Sequence, residues 1–214
     1  MGRVPDDFFD EMYAISDDPW QLAQRWYEQR KYAITMAMLP KLRYRHVFEP
    51  GCSVGILTEQ LAARCEQVTA IDLVDSALDS ARARIARCGH SARVSFHRRS
   101  LDSDWPAEDF DLVVLSEVAY YLDAVLLRDV LDRELARMRE GTTVLAAHWR
   151  HAVADYPLTG DEANRLIGAT ARLHRAARYR DDDVAIDVFV VGLLPSVAAA
   201  TGVPGADHGD RQES

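Results

Sequence analysis

The chain has 214 residues, 48% of them hydrophobic and 28% charged, with a formal net charge of −9. That length buries roughly 70% of the unfolded surface, enough for one sizeable core, and the composition disfavours bulk disorder and the fibrous and membrane classes. The acidic balance offers no general basic surface for neutralising phosphates, which argues against a dedicated nucleic-acid binder.

Asp17-Asp18-Pro19-Trp20 places a capping carboxylate before a proline suited to a first helical position, and predicts a helix running to about Leu39, ended by Pro40. Val47–Pro50 reads as a short strand entering Gly51-Cys-Ser-Val-Gly55. Ile56, Leu57, Leu61 and Cys65 then recur at helical spacing. A second strand is expected over Gln67–Asp72, a helix over Ser76–Cys88 with Gly89 as terminator, and a third strand over Val94–Arg98. Phe110–Ser116 holds the continuous apolar run of a parallel strand covered on both faces. Asp123 caps a helix reaching Arg139, and Thr143–Trp149 supplies a fifth strand.

Asp161–Thr170 reads as a helix, and His174–Arg180 and Val184–Val191 flank Asp181-Asp-Asp183 as a hairpin. From Pro195 onward no periodicity remains. The expected organisation is an N-terminal helical lid over residues 1–40, a core over 41–194 and a flexible tail over 195–214. Strands alternating with helices predict an α/β protein with a doubly wound, mostly parallel seven-stranded sheet and a terminal antiparallel hairpin. Its ligand site belongs beyond the carboxyl ends of the strands.

Cys52, Cys65 and Cys88 form no paired framework and no zinc-type spacing, so a reducing compartment and no metal centre are expected. The apolar stretches, such as Val188–Leu194, are too short to span a bilayer. The reading is cytoplasmic, with no membrane or nucleic-acid partner; oligomeric state is left open.

Glu49-Pro50-Gly51-Cys52-Ser53-Val54-Gly55 follows the first strand, and Asp72 ends the second, 21 residues beyond Gly51. Glycine permits a sharp reversal and close backbone approach to a ligand, and a carboxylate at the next strand end can accept hydrogen bonds from both ribose hydroxyls. A dinucleotide fingerprint would need glycine where Ser53 and Ile56 stand. A nucleoside without a pyrophosphate fits better, which counts against a nicotinamide-dependent oxidoreductase.

Glu49-x-Gly51-x-x-x-Gly55, Asp72 and Phe110-Asp-Leu-Val-Val-Leu-Ser-Glu-Val118 resemble successive motifs of class I S-adenosylmethionine-dependent methyltransferases, over roughly Val47–Trp149. Asp18-Pro19-Trp20, Tyr27-Glu28-x-Arg30 and Ser116-Glu117-Val118-x-Tyr120-Tyr121-Leu122 are similar to the nodulation protein S type, whose named member N-methylates a free amine of a chitooligosaccharide. The resemblance implies a Rossmann-like methyltransferase fold and S-adenosylmethionine as cofactor.

Carried over, Glu49 lies within the cofactor motif, and Gly51, Ser53 and Gly55 shape the turn around the methionine part. Asp72 takes the ribose and Leu73 packs on adenine, with Ser100 and Leu101 completing that pocket. Ser116 and Glu117 face the methionine ammonium. Arg30 would pair the methionine carboxylate, with Tyr13 and Trp20 covering the sulfonium side. Trp20 and Tyr27 could equally be core residues of one helical face.

His148, at the end of the fifth strand, is the candidate general base, with a structural histidine as the competing reading. Tyr120, Tyr121, Arg150, Asp155 and Tyr156 are candidates for lining the acceptor pocket. The expected function is methyl transfer to a small molecule, most simply an amine of an amino sugar or specialised metabolite. An O-methyltransferase or a non-catalytic cofactor-binding module are the alternatives.

Overall fold

A computed structural model describes residues 2–206; residues 207–214 of the expected tail lie outside the described residues. In chain order the N-terminal part forms α1 (Asp6–Ile15) and α2 (Trp26–Met38). These differ from the single helix expected after Pro19. Asp18 does act as a cap, but of a turn: its carboxylate accepts the Leu22 and Ala23 amides at 2.9 and 3.1 Å. Gln21, at φ +56°, then breaks the helical path, and α2 starts only at Trp26. The signal for α1 was present in Pro5-Asp6-Asp7 and in Phe9 and Tyr13, four residues apart and both buried.

β1 (Tyr44–Pro50), α3 (Ile56–Arg64), β2 (Cys65–Asp72), α4 (Asp75–Arg87) and β3 (Val94–Arg98) follow. Cys65 opens β2 instead of closing α3. β4 (Leu112–Ser116) starts two residues later than expected, because the Asp111 carboxylate turns back to accept the Arg45 and His46 amides. A 3-10 turn (Ala119–Tyr121) leads to α5 (Ala124–Ala136), capped by Asp123 accepting the Leu126 amide. The remaining elements are β5 (Thr143–Trp149), α6 (Gly160–Gly168), β6 (Leu173–Arg180), β7 (Val184–Val191) and a short α7 (Val197–Ala200) within the expected tail.

The sheet order is β3-β2-β1-β4-β5-β7-β6, parallel from β3 to β5, with β7 antiparallel to both β5 and β6. This is the mostly parallel seven-stranded sheet with a terminal hairpin. Because successive side chains alternate faces, Val47, Leu112 and Val114 pack under α2 and α3, whereas Phe48, Val113 and Leu115 pack under α5 and α6. Between β1 and β4 the direction of winding reverses, opening a crevice at the carboxyl ends of the strands. Among the described residues no helix is long and apolar enough to cross a membrane.

Candidate functional site

β1 ends in a turn that only a permissive backbone can make: Gly51, Ser53 and Gly55 all have positive φ, at 72°, 50° and 78°. The Gly51 and Cys52 amides donate to the Ile71 carbonyl at 2.8 and 3.0 Å, which ties the turn to β2. The Ser53 amide donates to Asp72 Oδ2 at 2.8 Å, and the Val74 amide to Oδ1 at 3.1 Å. Burial raises the Asp72 carboxyl above its ordinary range, although these amides pull the other way.

The turn floors a cavity of about 370 Å³ at the ends of β1, β2, β4 and β5. Gly51, Ser53, Asp72, Leu73, Ser100 and Leu101 line one side, with Glu49 at its base. A Cβ at Gly51 would come within 2.9 Å of Val118. Gly55 shapes the turn but does not reach the cavity: it faces α4, where a Cβ would stand 2.9 Å from Ala81 Cβ. The Ser100 hydroxyl donates to Asp102, and Arg3 spans both residues from the N-terminal segment.

Glu49 is 3% exposed, and its Oε2 has no hydrogen-bond partner among the described residues. Burial pushes its carboxyl up to about 8, with Thr58 opposing and Asp72 adding to the rise.

At the opposite side, Ser116 ends β4 and Glu117 follows it with a φ of +54°. Its carboxylate accepts Lys31 Nζ at 2.7 Å, the Tyr120 hydroxyl at 2.7 Å and the Trp149 amide at 2.8 Å. Burial alone would raise the Glu117 carboxyl; the Lys31 ammonium and these donors hold it below its usual range. Lys31 also pairs Glu28 at 2.7 Å. Burial acts to depress the ammonium, and the two carboxylates outweigh it, so its pKa is raised.

Tyr13, Trp20, Tyr120 and Tyr121 line this cavity as expected positions, and Tyr27 and Trp149 add an edge-on aromatic pair at 5.0 Å. The Tyr13 hydroxyl is hydrogen-bonded to Ser53 Oγ. The Tyr27 hydroxyl is buried without a partner among the described residues.

Besides Gly55, the expected residues Arg30, Arg150 and Asp155 lie elsewhere, and His148 and Tyr156 stand just behind the wall. Arg30 points away from the cavity to the β6–β7 tip, pairing Asp181 at 2.7 Å and donating to the Tyr179 hydroxyl at 2.6 Å. The cations that do line the cavity are Arg3, Arg25, Lys31 and Arg99. Arg150 pairs Asp161 and donates to the Asp181 carbonyl, and Asp155 is exposed to solvent.

His148 is fully buried behind the cavity wall. Its Nε2 accepts the Ala119 amide at 3.2 Å, so Nδ1 carries the proton and donates to Asn164 Oδ1 at 2.6 Å. Burial lowers its pKa, which keeps the ring neutral. With both nitrogens engaged, it fits a structural part rather than the expected base. Tyr156 stacks on Tyr120 at 5.0 Å and meets the Tyr121 hydroxyl at 3.4 Å, bracing the wall from outside.

Lys31 and Arg25 line the cavity without having been singled out in the sequence, although Lys31 adjoins Arg30; Tyr27, weighed there against a core role, lines it too.

The family described as Nodulation protein S (NodS) matches residues 7–163. Nodulation protein S of Rhizobium tropici is 33% identical over 124 residues, covering 58% of this chain and 51% of that protein. Its counterpart from Bradyrhizobium diazoefficiens is 33% identical over 123 residues, covering 57% of each. The chain thus spans about half the length of these curated relatives.

Among solved structures, the N-methyltransferase NodS from Bradyrhizobium japonicum in complex with S-adenosyl-L-homocysteine superposes with a TM-score of 0.75. It is 23% identical and covers 86% of this chain and 97% of that one, a likeness of fold. A putative methyltransferase from Pseudomonas syringae is 37% identical, with a TM-score of 0.62 over 78% of this chain and 99% of that one.

Proposed function

Since the chain belongs to the NodS family, we propose that it transfers a methyl group from S-adenosylmethionine to an amine nitrogen of a small molecule, such as an amino sugar or specialised metabolite. The observation that carries this reading is the carboxylate of Asp72, held against the Gly51–Gly55 turn beside one cavity.

The residues present suit the cofactor. The Asp72 carboxylate suits ribose hydroxyls as an acceptor, Leu73 and Leu101 suit adenine as apolar surface, and Gly51 adds no side chain at the turn. Ser100 offers only a hydroxyl, already turned toward Asp102, to the adenine amino group. At the other side Glu117 and the Ser116 backbone suit an ammonium. Arg25, in place of Arg30, suits a carboxylate, while Lys31 is taken up by Glu28 and Glu117. Bound S-adenosylmethionine supplies a methyl group activated by its sulfonium.

The protein contributes alignment, proximity and dryness. Tyr13, Trp20, Tyr27, Tyr120 and Trp149 wall the cavity with aromatic surface. An amine reaches its reactive neutral form through desolvation, which disfavours the ammonium. A hydroxyl acceptor needs a base aimed at it, and His148 turns both ring nitrogens to structural partners. That arrangement leaves His148 unable to serve a hydroxyl acceptor as its base.

Calorimetry with S-adenosylhomocysteine, followed by transfer of labelled methyl groups to a panel of amines, amino sugars and hydroxyl compounds, tests the reading. Binding with label confined to amines is expected. Label on hydroxyl compounds alone would move the assignment to O-methylation, and binding without turnover on any acceptor would leave a non-catalytic module.

A further inference from the structure

A second concavity, of about 390 Å³, lies at the β6 edge of the sheet and shares no lining residue with the cavity above. Among the described residues, Arg165, Arg175, Arg178 and Arg180 line it together with two carboxylates, Asp161 and Asp187. Even allowing for the carbonyl end of α6, positive charge remains unmatched here on a chain whose net charge is −9.

The cluster is built by the backbone. Arg175 and Arg178 are three apart, and a regular strand would send them to opposite faces. A bulge between Arg175 and Ala177 inserts one residue, so Arg175 comes to lie opposite Phe189 and Arg178 opposite Asp187, on one face. Both then approach the same oxygen of Asp187 through Nε, at 3.0 and 2.8 Å.

Asp187 is 2% exposed and is itself fixed by the Asn164 amide at 2.9 Å. The Arg175 guanidinium also lies over the Phe189 ring, 5.6 Å from its centroid. Two guanidiniums are thus anchored by their inner edges. Among the described residues no hydrogen bond from the outer nitrogens of Arg175 or Arg178 is present. Arg180 pairs Asp161 from the same strand face, and Arg165 closes the groove from α6.

We propose that this groove binds a small phosphate-bearing anion, which the outer edges of Arg175 and Arg178 hold with help from Arg165. Planar guanidinium forks match phosphate oxygens in pairs, and fixing the forks beforehand reduces the ordering cost of binding. A single carboxylate shared by two guanidiniums leaves charge for the ligand to complete.

The test is titration of the full chain with inorganic pyrophosphate at low ionic strength, followed by calorimetry, with orthophosphate as a parallel arm. Saturable 1:1 binding is expected, tighter for pyrophosphate if two phosphoryl groups are held and equal for both if one suffices. Arg165→Gln takes no part in the pairs to Asp161 and Asp187, so it removes charge without unpairing a buried carboxylate. Losing one charge-assisted contact should weaken binding by about tenfold. Arg175→Gln should weaken it at least as much, while S-adenosylhomocysteine affinity stays unchanged in both variants. Absence of saturable binding at millimolar pyrophosphate, equal binding by the Arg165→Gln chain, or displacement of pyrophosphate by S-adenosylhomocysteine would overturn the proposal.

Discussion

Lys31 Nζ lies 2.7 Å from Glu117 Oε1, so a buried ion pair joins the N-terminal helix α2 to the end of the central strand β4. Glu28, on the same helix, holds the other side of the ammonium. The pair fixes where α2 crosses the cavity and thereby closes its side nearest β4 and β5.

Lys31→Met should therefore leave two carboxylates facing each other without a counter-charge, at a cost of about 3–5 kcal/mol in urea denaturation near neutral pH. Because the Glu117 carboxyl is depressed in the folded chain, its contribution is present above the ordinary carboxylate range and is lost as pH falls through the folded value. The stability gap between wild type and variant should narrow in acid. A constant gap down to acid unfolding would show that the charge pairing is not the cause.

Asp72→Asn retains an acceptor for the Ser53 or Val74 amide while removing the charge offered to a ribose. S-adenosylhomocysteine affinity should fall by about 1–3 kcal/mol, the scale of hydrogen bonds to a charged group. Calorimetry at equal melting temperature separates this from a folding defect, and an unchanged affinity would remove Asp72 from the cofactor site.

Glu49 titrates in the opposite sense to Glu117. Its folded value of about 8 lies above the ordinary 4.5, so the stability tied to its protonated form is complete below the lower figure and drains away as pH rises through the upper. Glu49→Gln mimics the protonated form. Its melting temperature relative to wild type should rise between about pH 5 and about pH 8, and a pH-independent difference would contradict a neutral Glu49.

His148→Ala should act on stability. It leaves the Ala119 amide and Asn164 without their partner in a dry interior, at about 1–3 kcal/mol, while the folded variant binds S-adenosylhomocysteine as before. A variant of unchanged melting temperature whose methyl transfer falls by orders of magnitude would restore His148 as the base.

The sequence carried the fold because its signals are local. Val94–Arg98 and Thr143–Trp149 coincide with β3 and β5, and the glycine turn with Asp72 at the next strand end already described a crevice at the sheet's carboxyl edge. Hydrophobic period and backbone permissiveness are properties of neighbouring residues, so a single chain displays them. Most of the cavity side lined by Gly51, Ser53, Asp72, Leu73, Ser100 and Leu101 was legible for the same reason.

Which way each side chain points across a tertiary gap was decided only on folding. One step along α2 turns a side chain by about 100°, so Arg30 meets Asp181 on the hairpin while Lys31 enters the cavity. One step along β5 reverses the face, so Trp149 lines the cavity and His148 turns to Asn164 on α6. Arg150 is likewise claimed by Asp161, and the bulge that gathers Arg175 with Arg178 leaves no mark in the hydrophobic pattern. Periodicity assigns a residue to an element, but its partner comes from another element far along the chain, and that pairing exists only once both are packed together.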